Sequence, residues 1–348
     1  MSIEKLLCDL ISIESVSGKE KAIQERIAEY LERAGFNIEL DEILPDRPNL
    51  YATRGNSKTL IATHCDTTPA WGHPNAFSPA VRGKLIYGRG AIDTKGQIAS
   101  LIKAVEECDY PCDIAIFVDE EKGGNGSKLF SPPKKYDGAI VLEPTDLTIA
   151  VGEAGGIGLE IEIEGISAHG ATPWAGKNAI EEAFKLYSKI KEITASQKAD
   201  PRCPKPWVNL GKIEGGEDSY LVPAKCFMAL DIAVLPGNRA LDLFGKIEPL
   251  LEGRKYKISE LDDPIEISEK HPLIFQLKEA IKETGKEPNL TYFTSWSDAH
   301  NLSAKGIPCV IFGAGKLELA HTPYEHANLD ELKLLKEVLK GFLMINAP

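Results

Sequence analysis

No run of apolar residues in this 348-residue chain is long enough and free enough of charge to cross a bilayer. The N-terminus also lacks the basic-then-apolar pattern of a secretory signal, so a cytoplasmic protein is the expectation. Paired cysteines are missing too. The seven, at 8, 65, 108, 112, 203, 226 and 309, are odd in number and scattered. Cys108 and Cys112 are four apart, but no second close pair completes a structural zinc site, and reduced thiols follow. Positive charge is scarce: 40 Lys and Arg stand against 52 Asp and Glu. The resulting net charge of −12 argues against nucleic acid or an anionic membrane as a partner. No Gly-x-Gly-x-x-Gly follows a strand and no Gly-Lys-Ser/Thr occurs, which sets phosphate-loop chemistry aside.

What remains is ordinary globular composition, 43% hydrophobic and 26% charged, over a length that predicts two domains. The most informative stretch is Ile114–Val118 running into Asp119-Glu120-Glu121 and then a glycine turn. A β-branched run of this kind reads as a buried parallel strand, and an open α/β sheet keeps its chemistry at the carboxyl ends of such strands. Neighbouring side chains at a strand end point in different directions, so one glutamate can hold a metal while the other moves protons. A bare Glu-Glu pair also ends many solvated loops, and the neighbouring strand ends decide between the two. Leu60-Ile61-Ala62 runs into His64-x-Asp66, where the carboxylate shares a face with the imidazole and can fix its second nitrogen. Gly138–Leu142 ends in Glu143-Pro144, and Ile307–Phe312 is broken by Gly313-Ala314-Gly315 before His321. Gly88-Arg89-Gly90-Ala91-Ile92-Asp93-Thr94-Lys95-Gly96 places an acid in backbone that must bend sharply or approach something closely.

Helical periodicity marks an opening helix over Ile3, Leu6, Leu7, Leu10 and Ile11, and a second that buries Ile23, Ile27 and Leu31. Ser17 with Glu20 reads as that second helix's capping box. A last helix is capped by Asn328 with Glu331. Between these blocks the pattern changes. Leu159, Ile161 and Ile163 alternate with Glu160, Glu162 and Glu164, the period of a half-exposed antiparallel strand. A helix after Gly176 is expected to bury Ile180, Phe184 and Tyr187. The fold class predicted is α/β: a doubly wound, mainly parallel sheet over residues 1–156 and 267–348, with a smaller α+β domain inserted at 157–266.

His64, Asp93, Glu121, Glu143 and His321 are two imidazoles and three carboxylates, a set that suits two zinc-type cations sharing one acid. Asp93, in the most constrained backbone, is the expected bridge. Two such ions about 3.5–4 Å apart polarise a carbonyl and activate a water. Glu120 is left to take that water's proton and deliver it to a leaving amine. The implied chemistry is amide hydrolysis.

His64-x-Asp66, Gly88-Arg89-Gly90-Ala91-x-Asp93-x-Lys95-Gly96, Glu120-Glu121, Glu143-Pro144 and His321-x-x-x-Glu325 occur in one order over nearly the whole chain. In this the chain resembles the dinuclear-zinc family of acetylornithine deacetylase, succinyl-diaminopimelate desuccinylase, aminoacylase and glutamate carboxypeptidase. The resemblance implies one zinc (cobalt or manganese as substitutes) on His64 and Glu143, another on Glu121 and His321, and Asp93 bridging them. It also implies Asp66 orienting His64, Glu120 as general base and a cis peptide at Asp93–Thr94. Gly165–Gly170 resembles the family's lid, whose histidine, here His169, reaches the partner subunit's site in a homodimer. Read alone, His169 in a glycine-flanked loop is a surface residue rather than a catalytic one. Two departures touch substrate recognition: Ala233 stands where the family carries an arginine, and Tyr220-Leu221 precede Val222-Pro223 where an asparagine is usual. Arg239, His300, Gly313 and Gly315 are the remaining candidates for substrate contact. The expected substrate is a small N-acyl amino acid, of the acetylornithine, acetyllysine or succinyl-diaminopimelate kind. A dipeptidase or carboxypeptidase is the alternative, and a metal-binding relative without turnover is the third.

Overall fold

Cys112–Phe117, the run that leads into Glu120-Glu121, is a strand whose six residues are all buried. Thr59–His64 pairs parallel with it on one side, Gly138–Val141 pairs parallel with Thr59–His64, and Cys309–Ile311 continues parallel beyond that. Register then does the positioning. His64 lies opposite Phe117 and Ala62 opposite Val141, so the three chains leave the sheet at one edge. Residues 64, 120 and 143 meet there although they are far apart in sequence.

The computed structural model describes residues 1–347 and separates into two compact units. The first holds residues 1–152, 267–293 and those from 297 on; the second holds 153–266 and 294–296. In the first unit only the centre of the sheet is parallel. Asn37–Leu44 and Arg47–Arg54 form a hairpin, Arg47–Arg54 runs antiparallel to Cys112–Phe117, and Ile311 meets Ala150 antiparallel. The two-residue connection at Pro45-Asp46 allows no other return, since a parallel crossover needs a dozen residues or more. The expected mainly parallel sheet is therefore mixed at its edges. Behind it lies Lys95–Glu106, a helix buried along almost its whole length against Ile3–Ser12 and Leu329–Ile345. A small antiparallel sheet of Ala80–Arg82, Leu85–Tyr87 and His326–Asn328 pairs Tyr87 with His326. That pairing sets the loop leading to Asp93 beside the loop that carries His321.

The second unit is a four-stranded antiparallel sheet in the order Val208–Gly215, Lys225–Val234, Gly155–Glu164, Lys255–Asp262. Ala179–Ala195 and Ala240–Ile247 cover the face that carries Leu159, Ile161 and Ile163. Glu162 and Glu164 point to solvent, as the alternation required.

Two local expectations are corrected. Ala179–Ala195 buries Ala179, Ala183, Leu186 and Ile190, while Ile180 and Tyr187 pack at the margin and Phe184 is 50% exposed. The small residues let the helix lie close on its sheet, and the larger rings are turned outward. The Ser17/Glu20 capping box does not form either: Glu20 is the N-cap of Lys21–Arg33 but makes no side-chain capping bond. Its carboxylate pairs with Arg47 instead, and the Ser17 hydroxyl donates to Asp66.

Candidate active site

Asp93 lies at the centre. Its Oδ1 is 3.1 Å from His64 Nε2 and its Oδ2 is 3.2 Å from His321 Nε2. Glu143 Oε1 stands 3.6 Å from His64 Nε2, and Glu121 Oε2 is 2.9 Å from His321 Nε2. The result is two overlapping donor sets, His64/Asp93/Glu143 and Asp93/Glu121/His321, each with its atoms within 4.8 Å of one another. Each set offers one imidazole and two carboxylates, the mixture that borderline divalent ions select. Glu143 Oε1 has no hydrogen-bond partner among the described residues, a cost that a cation at this point removes. The donors therefore fit a pair of divalent metal ions.

The electrostatics agree with that reading. Burial pushes the Glu120 and Glu143 carboxyls well above the usual range, and their acidic neighbours push them further. Burial opposes a charge on His321, yet Asp93 and Glu121 raise its pKa to about 10. Burial likewise opposes a charge on His64, and Glu120 and Glu143 outweigh it. A metal held here would therefore compete with protons for these imidazoles.

The backbone is shaped to bring these groups in. The Asp93–Thr94 peptide is cis, and His321 sits at φ 62°. A side chain at Gly96 would place its Cβ 2.4 Å from the Ala91 carbonyl oxygen, so only glycine lets the helix start so close to the loop. Arg89 and Glu325, both buried, pair at 2.6 Å. Glu325 also accepts from the Ile92 amide at 3.2 Å, and Arg89 donates to the His321 carbonyl at 3.4 Å. Together they tie the Asp93 loop to the His321 loop. Asp66 is 3.5 Å from His64 Nδ1 through Oδ1, and its own carbonyl is 3.0 Å from the same nitrogen. Its two carboxylate oxygens also accept from the amides of Glu120 and Glu121, at 3.1 and 3.2 Å. Glu120 holds its carboxylate 3.9 Å from His64 and belongs to neither donor set.

The substrate candidates fall differently. Gly313 and Gly315 are buried: a Cβ at Gly313 would lie 2.4 Å from the Glu143 carbonyl oxygen, and one at Gly315 would lie 2.0 Å from Ile92 Cδ1. Their service is close packing behind Glu143 and Asp93. His300 is half-buried in the helix Asp298–Ala304. Arg239 is an exposed N-cap in the second unit, where His169 is exposed as well and Ala233 is buried. Asp298 was not singled out by sequence, yet it is fully buried, with the Ser127 hydroxyl facing its carboxylate. Burial pushes it up to about 7 against the pull of His64.

The sequence profile of peptidase family M20/M25/M40 matches residues 60–345. The chain belongs to that family. A protein of Pyrobaculum aerophilum named as a LysW-lysine/LysW-ornithine hydrolase is 27% identical over 98% of this chain and 96% of its own. An acetylornithine deacetylase of Vibrio atlanticus is 29% identical over 95% and 94%. A solved tripeptidase of Staphylococcus aureus covers 99% of this chain and 98% of its own with a TM-score of 0.84, and at 22% identity it speaks for the fold alone. The M20 chain is thus a metal-dependent hydrolase whose relatives are named for small acyl amino acids and peptides.

Proposed function

We propose that this M20 hydrolase removes an acyl group from the nitrogen of an amino acid of the ornithine or lysine type. One observation carries the reading: Glu120 stands beside His64 but outside both donor sets. A spare acid there has the role of a proton carrier. Two zinc ions fit His64, Glu143 and Asp93 on one side and Glu121, His321 and Asp93 on the other. When bound, they polarise the scissile carbonyl and bring a water's pKa to about 7. Glu120 then accepts the attacking water's proton and returns it to the leaving nitrogen, so that amide and water become carboxylate and amine. Asp66 keeps the His64 ring in place by facing its Nδ1.

The substrate class draws support from the names of the two relatives, both of which concern ornithine or lysine. The lid, the second unit, exposes Ile166, Trp174 and Tyr220 at 61, 80 and 77% in the two loops stitched together beside His169. Apolar exposure on that scale suits a homodimer through the lid, with His169 stabilising an oxyanion in the partner's site.

The test is a hydrolysis screen with zinc or cobalt over N-acetyl and N-succinyl ornithine, lysine and diaminopimelate, together with dipeptides. Turnover is expected on the acyl amino acids. Glu120→Gln should retain metal and lose about 10²–10⁴-fold in kcat. Turnover confined to dipeptides would replace the substrate reading, and an active Glu120→Gln would remove Glu120 from the reaction.

A further inference from the structure

Ser17, Glu20 and Arg47 are drawn toward the site and have no part in the chemistry described so far. Arg47 opens the strand Arg47–Arg54, and its largely buried guanidinium bridges two carboxylates. Nε and Nη2 donate to Glu20 at 2.9 and 2.5 Å, and Nη2 donates to Asp119 Oδ1 at 2.5 Å. Glu20 is fully buried and also accepts from the Gly18 amide at 2.9 Å. Asp119 sits at φ 66°, in the left-handed region that few residues other than glycine adopt. Several contacts hold it there. Its Oδ2 accepts from Asn125 at 2.5 Å, and its carbonyl accepts from the Gly123 and Gly124 amides at 3.0 and 2.6 Å. Two residues along the same strand, Asn49 clasps the loop at both ends: it accepts from the Val118 amide at 3.2 Å and donates to the Gly126 carbonyl at 2.9 Å.

The turn at Asp119 decides where the next side chain points, and that side chain is Glu120. On its far side, the Glu120 and Glu121 amides are fixed to Asp66, which the Ser17 hydroxyl holds at 2.7 Å. The segment 17–20 therefore touches the loop twice, through Asp66 and through Arg47. This is where the missing capping box went: its two side chains support the acid-bearing loop and leave the helix end without them.

We propose that Arg47 is a positioning residue, whose fork across Glu20 and Asp119 locks the left-handed turn that aims the Glu120 carboxylate. The inference rests on Glu120 as the proton carrier. The competing view is that Arg47 only fastens the hairpin to the helix Lys21–Arg33. Arg47→Lys separates the two, since it keeps the charge between the two buried acids and loses the planar fork. Asp119→Asn is the second variant, keeping an oxygen for Asn125 while losing the ion pair.

In zinc-loaded protein, Arg47→Lys is expected to lower kcat by about tenfold or more, because a misplacement of about 1 Å costs on the order of 10²-fold. KM, metal content and Tm should stay near wild type. Hydrogen exchange at the Glu120 and Glu121 amides should quicken while that of Cys112–Phe117 does not. Asp119→Asn should move in the same direction. Unchanged kcat and exchange in metal-loaded Arg47→Lys overturn the proposal. Activity lost only in step with fold or metal, in both variants, overturns it too. Glu120→Gln run in parallel keeps the two readings apart: if it turns over normally, the proton-carrier reading falls, and the exchange measurement still decides what Arg47 does to the loop.

Discussion

Among single residues, the buried acids have the most distinct consequences. Asp298 carries a carboxyl raised from an ordinary 3.8 to about 7, chiefly by burial. The folded protein then keeps a proton that the unfolded chain gives up above pH about 4. The stability this provides is complete below that value and is lost as the pH rises through 7. Asparagine has no proton to lose. In metal-free protein, Asp298→Asn should therefore gain on the wild type in Tm as the pH is taken from about 4 to 7. A difference that is flat, or that grows toward acid, would show that Asp298 ionises normally. Glu325 illustrates a different role for a buried acid. It sits in the motif with His321, yet its bonds go to Arg89 and the Ile92 amide, and so it fastens loops. Removing one partner of such a buried pair is costly because the other charge is left uncompensated.

At the scale of elements, the site depends on where strands end and how closely the next helix may begin. The Lys95–Glu106 helix starts two residues after Asp93, which both donor sets share, and Gly96 stands where a Cβ would strike the Ala91 carbonyl at 2.4 Å and crowd Leu332 at 3.1 Å. Gly96→Ala should cost about 1–3 kcal/mol by overpacking, and metal affinity should fall with it because the displaced backbone carries Asp93. Gly245, inside the helix Ala240–Ile247 with nothing within 4 Å of its Cβ position, is the control. Gly245→Ala should raise stability by about 0.5–1 kcal/mol. Thermal melts of both variants check the pair, and equal effects would mean that helix propensity alone is at work. The strand Gly155–Glu164 and the helix Ala179–Ala195 show how far periodicity reaches. The strand's alternation named its buried face correctly. The helix's largest rings misled, because burial there follows Ala179 and Ala183.

For the molecule as a whole, the open matter is how copies assemble. If the lid joins two subunits, dilution or a charge in the exposed apolar patch should yield monomers with little activity. Trp174→Glu, in a residue 80% exposed, is the variant of choice, read by analytical ultracentrifugation beside turnover. A monomer with full activity would remove both the dimer and His169 from the reaction. No helix among the described residues is long and apolar enough to span a membrane.

The sequence by itself picked out the side chains that meet in the two donor sets and the spare acid Glu120, because each ends an apolar strand or sits in a glycine-dense turn and carries a local signature. It also determined the alternating strands and the order of the two chain blocks. Only the tertiary structure decided the fate of Ser17 and Glu20, the burial of Asp298, the packing role of Gly313 and Gly315, and the outward face of Phe184. Those depend on partners far away along the chain, such as Asp66, Arg47 and Glu143, which spacing cannot see. A strand end announces itself over a few residues. What holds that end in register does not.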